Sequence, residues 1–102
     1  MYFDVDLSAD VPTMSLEDID NFRAFQIEAT GPRDRIAEAL APYATWDGEH
    51  AWFAPHRVQD LAGARGREAD WQQGFAALRD YATAHGYAGD DGTLRAHVEW
   101  RA

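Results

Sequence analysis

The sequence predicts an α+β domain of the ferredoxin-like, split βαβ kind. That is β-α-β-β-α-β from Phe22 onward, with an additional N-terminal strand, an antiparallel sheet and the helices on one face. Three observations lead there. Stretches of period two alternate with stretches at helical spacing. Asp47-Gly48 separates two of the period-two stretches as a hairpin turn. And 102 residues make one domain with a single modest core. Residues 1–21 read as an acidic strand and loop, and 22–102 as the split βαβ core.

In order along the chain, Met1, Phe3, Val5 and Leu7 alternate with Tyr2, Asp4, Asp6 and Ser8, a half-buried strand. After a Pro-containing loop, Ser15, Glu17 and Asp18 are placed to cap a short helical turn carrying Leu16 and Ile19. From Phe22 the chain alternates again, with Phe25, Ile27 and Ala29 on one face and Ala24, Gln26 and Glu28 on the other. Gly31-Pro32 ends this strand, and Pro32 suits the first turn of a helix carrying Ile36, Leu40 and Tyr43. A short helix past Pro55 carries Val58 and Leu61, and ARGRE reads as a loop. Asp70 stands where it caps a longer helix whose stripe is Trp71, Phe75, Leu78, Ala82 and His85. Gly86 fits the position past that helix, and Tyr87 the apolar contact folding back on it. The last strand puts Leu94, Ala96, Val98 and Trp100 on one face.

A two-residue turn at Asp47-Gly48 pairs Trp46 with Glu49, Thr45 with His50, Ala44 with Ala51 and Tyr43 with Trp52. Trp46, Ala51 and Phe53 form the more apolar face and are assigned to the core. His50 and Trp52 then lie on the open face, with Arg95, His97, Glu99, Arg101, Gln26 and Glu28. In the split βαβ order the strand starting at Phe22 separates the hairpin from the last strand. The His50 and His97 backbones are then roughly 10 Å apart, too far for easy ligation of one metal at about 2 Å per bond. No metal and no cofactor is expected. His56 and His85 belong to helix ends.

Charge narrows the function classes. The net charge is −9, and all nine cations are Arg. The lack of Lys, with abundant Ala and Gly, suits a GC-rich bacterial genome. Residues 1–20 hold Asp4, Asp6, Asp10, Glu17, Asp18 and Asp20 and no cation. Such a field repels phosphates, which argues against a nucleic-acid partner and for a basic protein. The chain has no Cys and no apolar run near the roughly 20 residues that span a bilayer. Its start lacks the pattern of a secretory signal, so a cytoplasmic setting is expected.

Other chemical signatures are weak. No G-x-S-x-G elbow is present. Gly63-x-x-Gly66 with Arg65 and Arg67 resembles an anion grip without the strand-loop-helix setting of a P-loop. Asp4-x-Asp6 lacks the Gly and terminal Glu of a calcium loop. The reading favoured is a small acidic, non-catalytic interaction protein of inhibitor, immunity or accessory type. It docks a partner protein through its open sheet face or acidic N-terminal segment, with Asp4, Asp6, Glu17, Asp18, Asp20 and Trp52 at the contact. The alternative is a small enzyme or ligand-binding domain with a pocket of His50, Trp52, His97, Glu28 and Glu99. In that reading homodimerisation completes the pocket, with His50 or His97 as general base.

Overall fold

A computed structural model describes residues 1–101. In chain order the elements are β1 (Tyr2–Asp6), β2 (Thr13–Glu17), β3 (Gln26–Thr30), α1 (Ile36–Leu40), β4 (Ala44–Trp46), β5 (Ala51–Phe53), α2 (Pro55–Leu61), α3 (Ala69–Ala84), β6 (Leu94–Ala96) and β7 (Val98–Arg101). Short 3-10 turns precede α1 and α3. Among the described residues no helix is long and apolar enough to cross a membrane.

The α+β class holds, but the strand order departs from the ferredoxin-like one. A four-stranded sheet runs β2-β1-β3-β7, and a three-stranded sheet runs β4-β5-β6. β1 pairs antiparallel with β2 and parallel with β3, and β3 pairs parallel with β7. The first sheet is therefore mixed. The N-terminal strand occupies the edge of β3 that the ferredoxin-like order reserves for the hairpin. The hairpin pairs instead with the last strand, through β5 and β6. Only His97 separates β6 from β7, so one segment serves both sheets. Its Arg95 N–H donates to the Tyr87 carbonyl (2.9 Å), and its His97 carbonyl accepts from Ile27 N–H (2.9 Å). These two residues thus bond along one edge, and β5 holds the other.

The alternation in β1 does what its period demands: Met1, Phe3, Val5 and Leu7 are all fully buried. β2 is a strand and not the helical turn expected around Ser15. Met14 and Leu16 turn inward, and Thr13, Ser15 and Glu17 outward, because pairing along all of β1 satisfies a backbone that one helical turn would leave open. Between the sheets Phe3 stacks on Phe53 with ring centres 4.1 Å apart, and Phe25 meets both edge-on at 5.4 and 5.9 Å. On α3, Trp71, Phe75, Leu78 and Ala82 are buried as their spacing requires, whereas His85, expected on the same stripe, is the C-cap residue and is exposed. Trp71 also satisfies its indole N–H on the Ile19 carbonyl (2.8 Å).

Two local details are corrected. Asp70 makes no capping bond to α3; it gives both oxygens to Arg65, at 2.8 and 2.9 Å. The hairpin pairs Trp46 with Ala51, Thr45 with Trp52 and Ala44 with Phe53, two residues out from the expected register. Asp47 explains the longer loop. Its carboxylate accepts from the N–H groups of Glu49 (2.8 Å) and His50 (2.6 Å) and from the Trp52 indole (2.8 Å). A slip of two preserves parity, so Ala51 and Phe53 are core and Trp52 lies on the opposite face.

Gly74 interrupts α3 for a packing reason. A Cβ there would lie 2.3 Å from the Phe22 ring, so the glycine lets Phe22 press directly on the helix. Past the helix, Gly86 adopts φ 77°, and Tyr87 N–H returns to the Ala82 carbonyl at 2.8 Å.

Candidate functional site

Two regions hold the residues singled out from sequence. The first is the outer face of the four-stranded sheet, opposite the buried side chains of β1 and β3. Register aligns Ser15, Asp4, Glu28 and Glu99 in one row across β2, β1, β3 and β7. Adjacent strands lie about 4.8 Å apart, so three carboxylates stand side by side. One flanking row is Thr13, Asp6, Thr30 and Arg101, and the other is Glu17, Tyr2 and Gln26. Five carboxylates thus share the face with a single Arg. Arg101 donates to the Asp4 carboxylate and to the Glu28 carbonyl (2.9 Å). Asp6 turns aside to accept from Ser8 N–H (2.9 Å) and Oγ (2.6 Å), which hold its pKa below the ordinary carboxylate value.

The N-terminal acidic run is less bare than its sequence. Asp20 is taken by Arg65 (2.9 Å), which also binds Glu68 and Asp70; these carboxylates raise the guanidinium pKa. Arg35 donates to the carbonyls of Leu7 (2.7 Å), Ala9 (2.6 Å) and Asp10 (2.9 Å). Asp18 accepts from the Asn21 side chain (3.2 Å) and adopts φ 51°. Asp20 therefore works within the fold, and Asp18 lies beyond the end of β2. With Arg65 committed to three carboxylates, the 63–67 segment offers no anion grip through that residue.

The second region is a cavity of about 370 Å³ between the 22–25 segment, α3 and β6. Both His50 and His97 line it, each one position beyond the terminal Ala51–Ala96 pair of neighbouring strands. Their separation is thus one strand spacing, about 5 Å between backbones, and not the roughly 10 Å of an intervening strand. Arg23, Arg95, Tyr81 and Tyr87 complete its polar wall. His97 Nε2 lies 2.8 Å from Glu99 Oε1, so Glu99 stands behind the imidazole and off the wall. Trp52 does not join. It lines a separate open groove of about 470 Å³ with Thr45 and the 89–93 turn. The expected pocket of His50, Trp52, His97, Glu28 and Glu99 is thereby divided, with only the two His in the cavity.

Among the described residues no group of three or more His, Asp or Glu side chains is arranged to hold a metal ion. The chain matches no protein-family model, no curated protein and no solved structure.

Sequence reasoning missed Arg23, Tyr81 and Tyr87 as cavity residues, because a helix end, a turn and a loop meet there only in three dimensions. Asp47 carried a readable signal. Its carboxylate follows Trp46 and precedes Gly48, an arrangement in which an Asp side chain bonds the backbone two residues on. Those bonds, with the one from Trp52, lower its pKa to about 2.

Proposed function

We propose that this chain is a non-catalytic binding protein that docks a basic protein partner on the outer face of its four-stranded sheet. The row Asp4, Glu28 and Glu99 carries the proposal. Like charges directly opposite on adjacent strands oppose folding. Arg101 forms an ion pair with Asp4, while Glu99 has His97 Nε2 at 2.8 Å and Glu28 accepts from the Gln26 amide at 3.4 Å, neither being paired with an Arg of the described residues. Lys or Arg side chains from a partner would neutralise the rest. A net charge of −9 adds long-range steering, which raises association rates for a basic partner by about one to three powers of ten at low salt. A second copy would set carboxylate against carboxylate, so the complement sought is a different chain.

The test starts from affinity capture in the native host and follows the captured protein by cross-linking and by association rates at two ionic strengths. Cross-links on β1, β3 and β7, and a rate that drops in the Asp4→Asn/Glu28→Gln/Glu99→Gln variant at low salt only, support the reading. Cross-links elsewhere, unchanged rates, or no basic protein captured at low salt overturn it. The second reading, a ligand-binding domain around His50 and His97, is supported by the cavity that brings them together.

A further inference from the structure

We infer that the cavity beside β6 binds a small organic anion with a planar apolar body, an aromatic carboxylate being the class its walls fit. The inference rests on the ligand-binding reading of the cavity and is independent of the docking face.

Charge is the first argument. The chain carries 18 acidic residues against nine Arg. At that ratio two Arg would bring about four carboxylates with them, yet Arg23 and Arg95 line the cavity with His50 and His97 and no carboxylate does. A local reversal of this kind in an acidic protein selects for a negative guest. Of the sheet-face carboxylates, Glu99 touches the cavity wall from behind, its Oε1 2.8 Å from His97 Nε2. Asp4, Asp6, Glu17 and Glu28 act on the cavity through screened long-range interactions, since the Debye length is about 8 Å at physiological ionic strength. Donors in contact with a guest outweigh them.

Commitment of the arginines is the second. Arg35, Arg65 and Arg101 spend their guanidinium donors on carbonyls or carboxylates of the fold. Arg95 is held differently: its guanidinium lies 4.8 Å from the Tyr87 ring centre, and its backbone N–H is bonded to the Tyr87 carbonyl. Among the described residues no polar atom of the protein accepts from its side chain. A guanidinium fixed by stacking, with its N–H fork free, is preorganised for bidentate binding of a carboxylate.

Shape supplies the body of the ligand. Phe22, Phe25, Leu78 and Leu94 give the cavity an apolar floor, and Tyr81, itself stacked on His85 at 3.9 Å, adds an aromatic wall. A volume of about 370 Å³ lies within the range of small-molecule sites. It suits a one- or two-ring acid.

The probe is 2-naphthoate, with neutral 2-naphthamide as its isostere, followed by heteronuclear NMR titration and calorimetry. Expected are saturable shifts confined to the segments around residues 22–25, 50, 78–82, 87 and 94–97, with the amide at least about tenfold weaker. Arg95→Gln should weaken the carboxylate about tenfold and leave the amide alone, with a wild-type amide spectrum showing that the variant is folded. Arg57→Gln, at an exposed position of α2 outside the cavity, should change neither. Equal affinity for acid and amide, equal loss of both in the Arg95 variant, shifts elsewhere, or no saturation at millimolar probe would each overturn the inference. None of these outcomes touches the sheet-face docking, which is read by association with a protein.

Discussion

The outer face of the four-stranded sheet and the cavity at its junction with the three-stranded sheet meet at one residue pair, His97 and Glu99, yet their charges are opposite. On the sheet face five carboxylates surround Arg101, which is spent on Asp4 and a carbonyl. In the cavity two arginines stand without a carboxylate on the wall. The difference teaches that net charge says little about a site. What matters is which charges the fold itself consumes. Arg65 gathers Asp20, Glu68 and Asp70 into one network within the fold. Arg95, stacked on Tyr87, is left with its donors available.

The two regions share one core, and the largest expected effect tests that. Phe75 stacks on Trp71 at 4.9 Å and is buried in the cluster that supports both sheets. Phe75→Ala should cost about 3–5 kcal/mol. Urea unfolding followed by Trp fluorescence and by circular dichroism should show one cooperative transition shifted together. Two separate transitions would mean that the regions are independent, and an unshifted one that α3 does not pack by this stripe.

A smaller change separates the regions. Gly74→Ala gains up to about 1 kcal/mol of helix propensity. It also drives a methyl into the Phe22 ring, an overpacking worth about 1–3 kcal/mol. A net loss is expected, together with weaker naphthoate binding, because Phe22 forms part of the cavity wall. Association through the sheet face should be untouched. A more stable variant with unaltered ligand affinity would show that Phe22 moves aside freely.

Asp47 gives a pH test of the hairpin that carries His50. Its pKa in the folded chain is about 2, against about 3.9 for an ordinary Asp. A depressed folded value means that its contribution is complete above the ordinary pKa and is lost as pH falls toward about 2. The Trp52 indole N–H resonance should shift over that window, and Asp47→Asn should flatten the response. A resonance that does not move down to pH 2 would show that the indole bond is not made in solution.

The smallest effect on stability belongs to the sheet face. Neutralising Asp4, Glu28 and Glu99 removes mutual repulsion along with the exposed Arg101–Asp4 and His97–Glu99 pairs, small terms of opposite sign. The melting temperature should stay nearly constant while association with a basic partner slows. A large drop would reassign the row to folding and take away its claim as a docking site.

Several features were legible along the chain because they are local. The stripe on α3 and the alternation of β1 follow from helical and strand spacing alone. The faces of the hairpin survived a register error, since Asp47 lengthened the loop by an even number of residues. β2 was legible too: Met14 and Leu16 alternate with Thr13, Ser15 and Glu17, but the capping pattern of Ser15 competed with it. The cavity was not legible. Arg95 and His97 read as open-face residues, and nothing nearby in sequence signals that Tyr81, Tyr87 and Arg23 come to them.

Sequence by itself determined the buried faces of β1, β3, the hairpin and α3, where the main helix ends, and that the chain is acidic with Arg as its sole cation. Tertiary structure alone decided the strand order, the meeting of His50 with His97, the lateral row of carboxylates and the division of arginines into consumed and free. The reason is physical. Side-chain periodicity is fixed by backbone geometry within one element, so a short window carries it. Which edge a strand offers, and to which neighbour, is settled by pairing and packing between segments far apart in the chain. Here β1 took the edge of β3, and the hairpin went to the last strand.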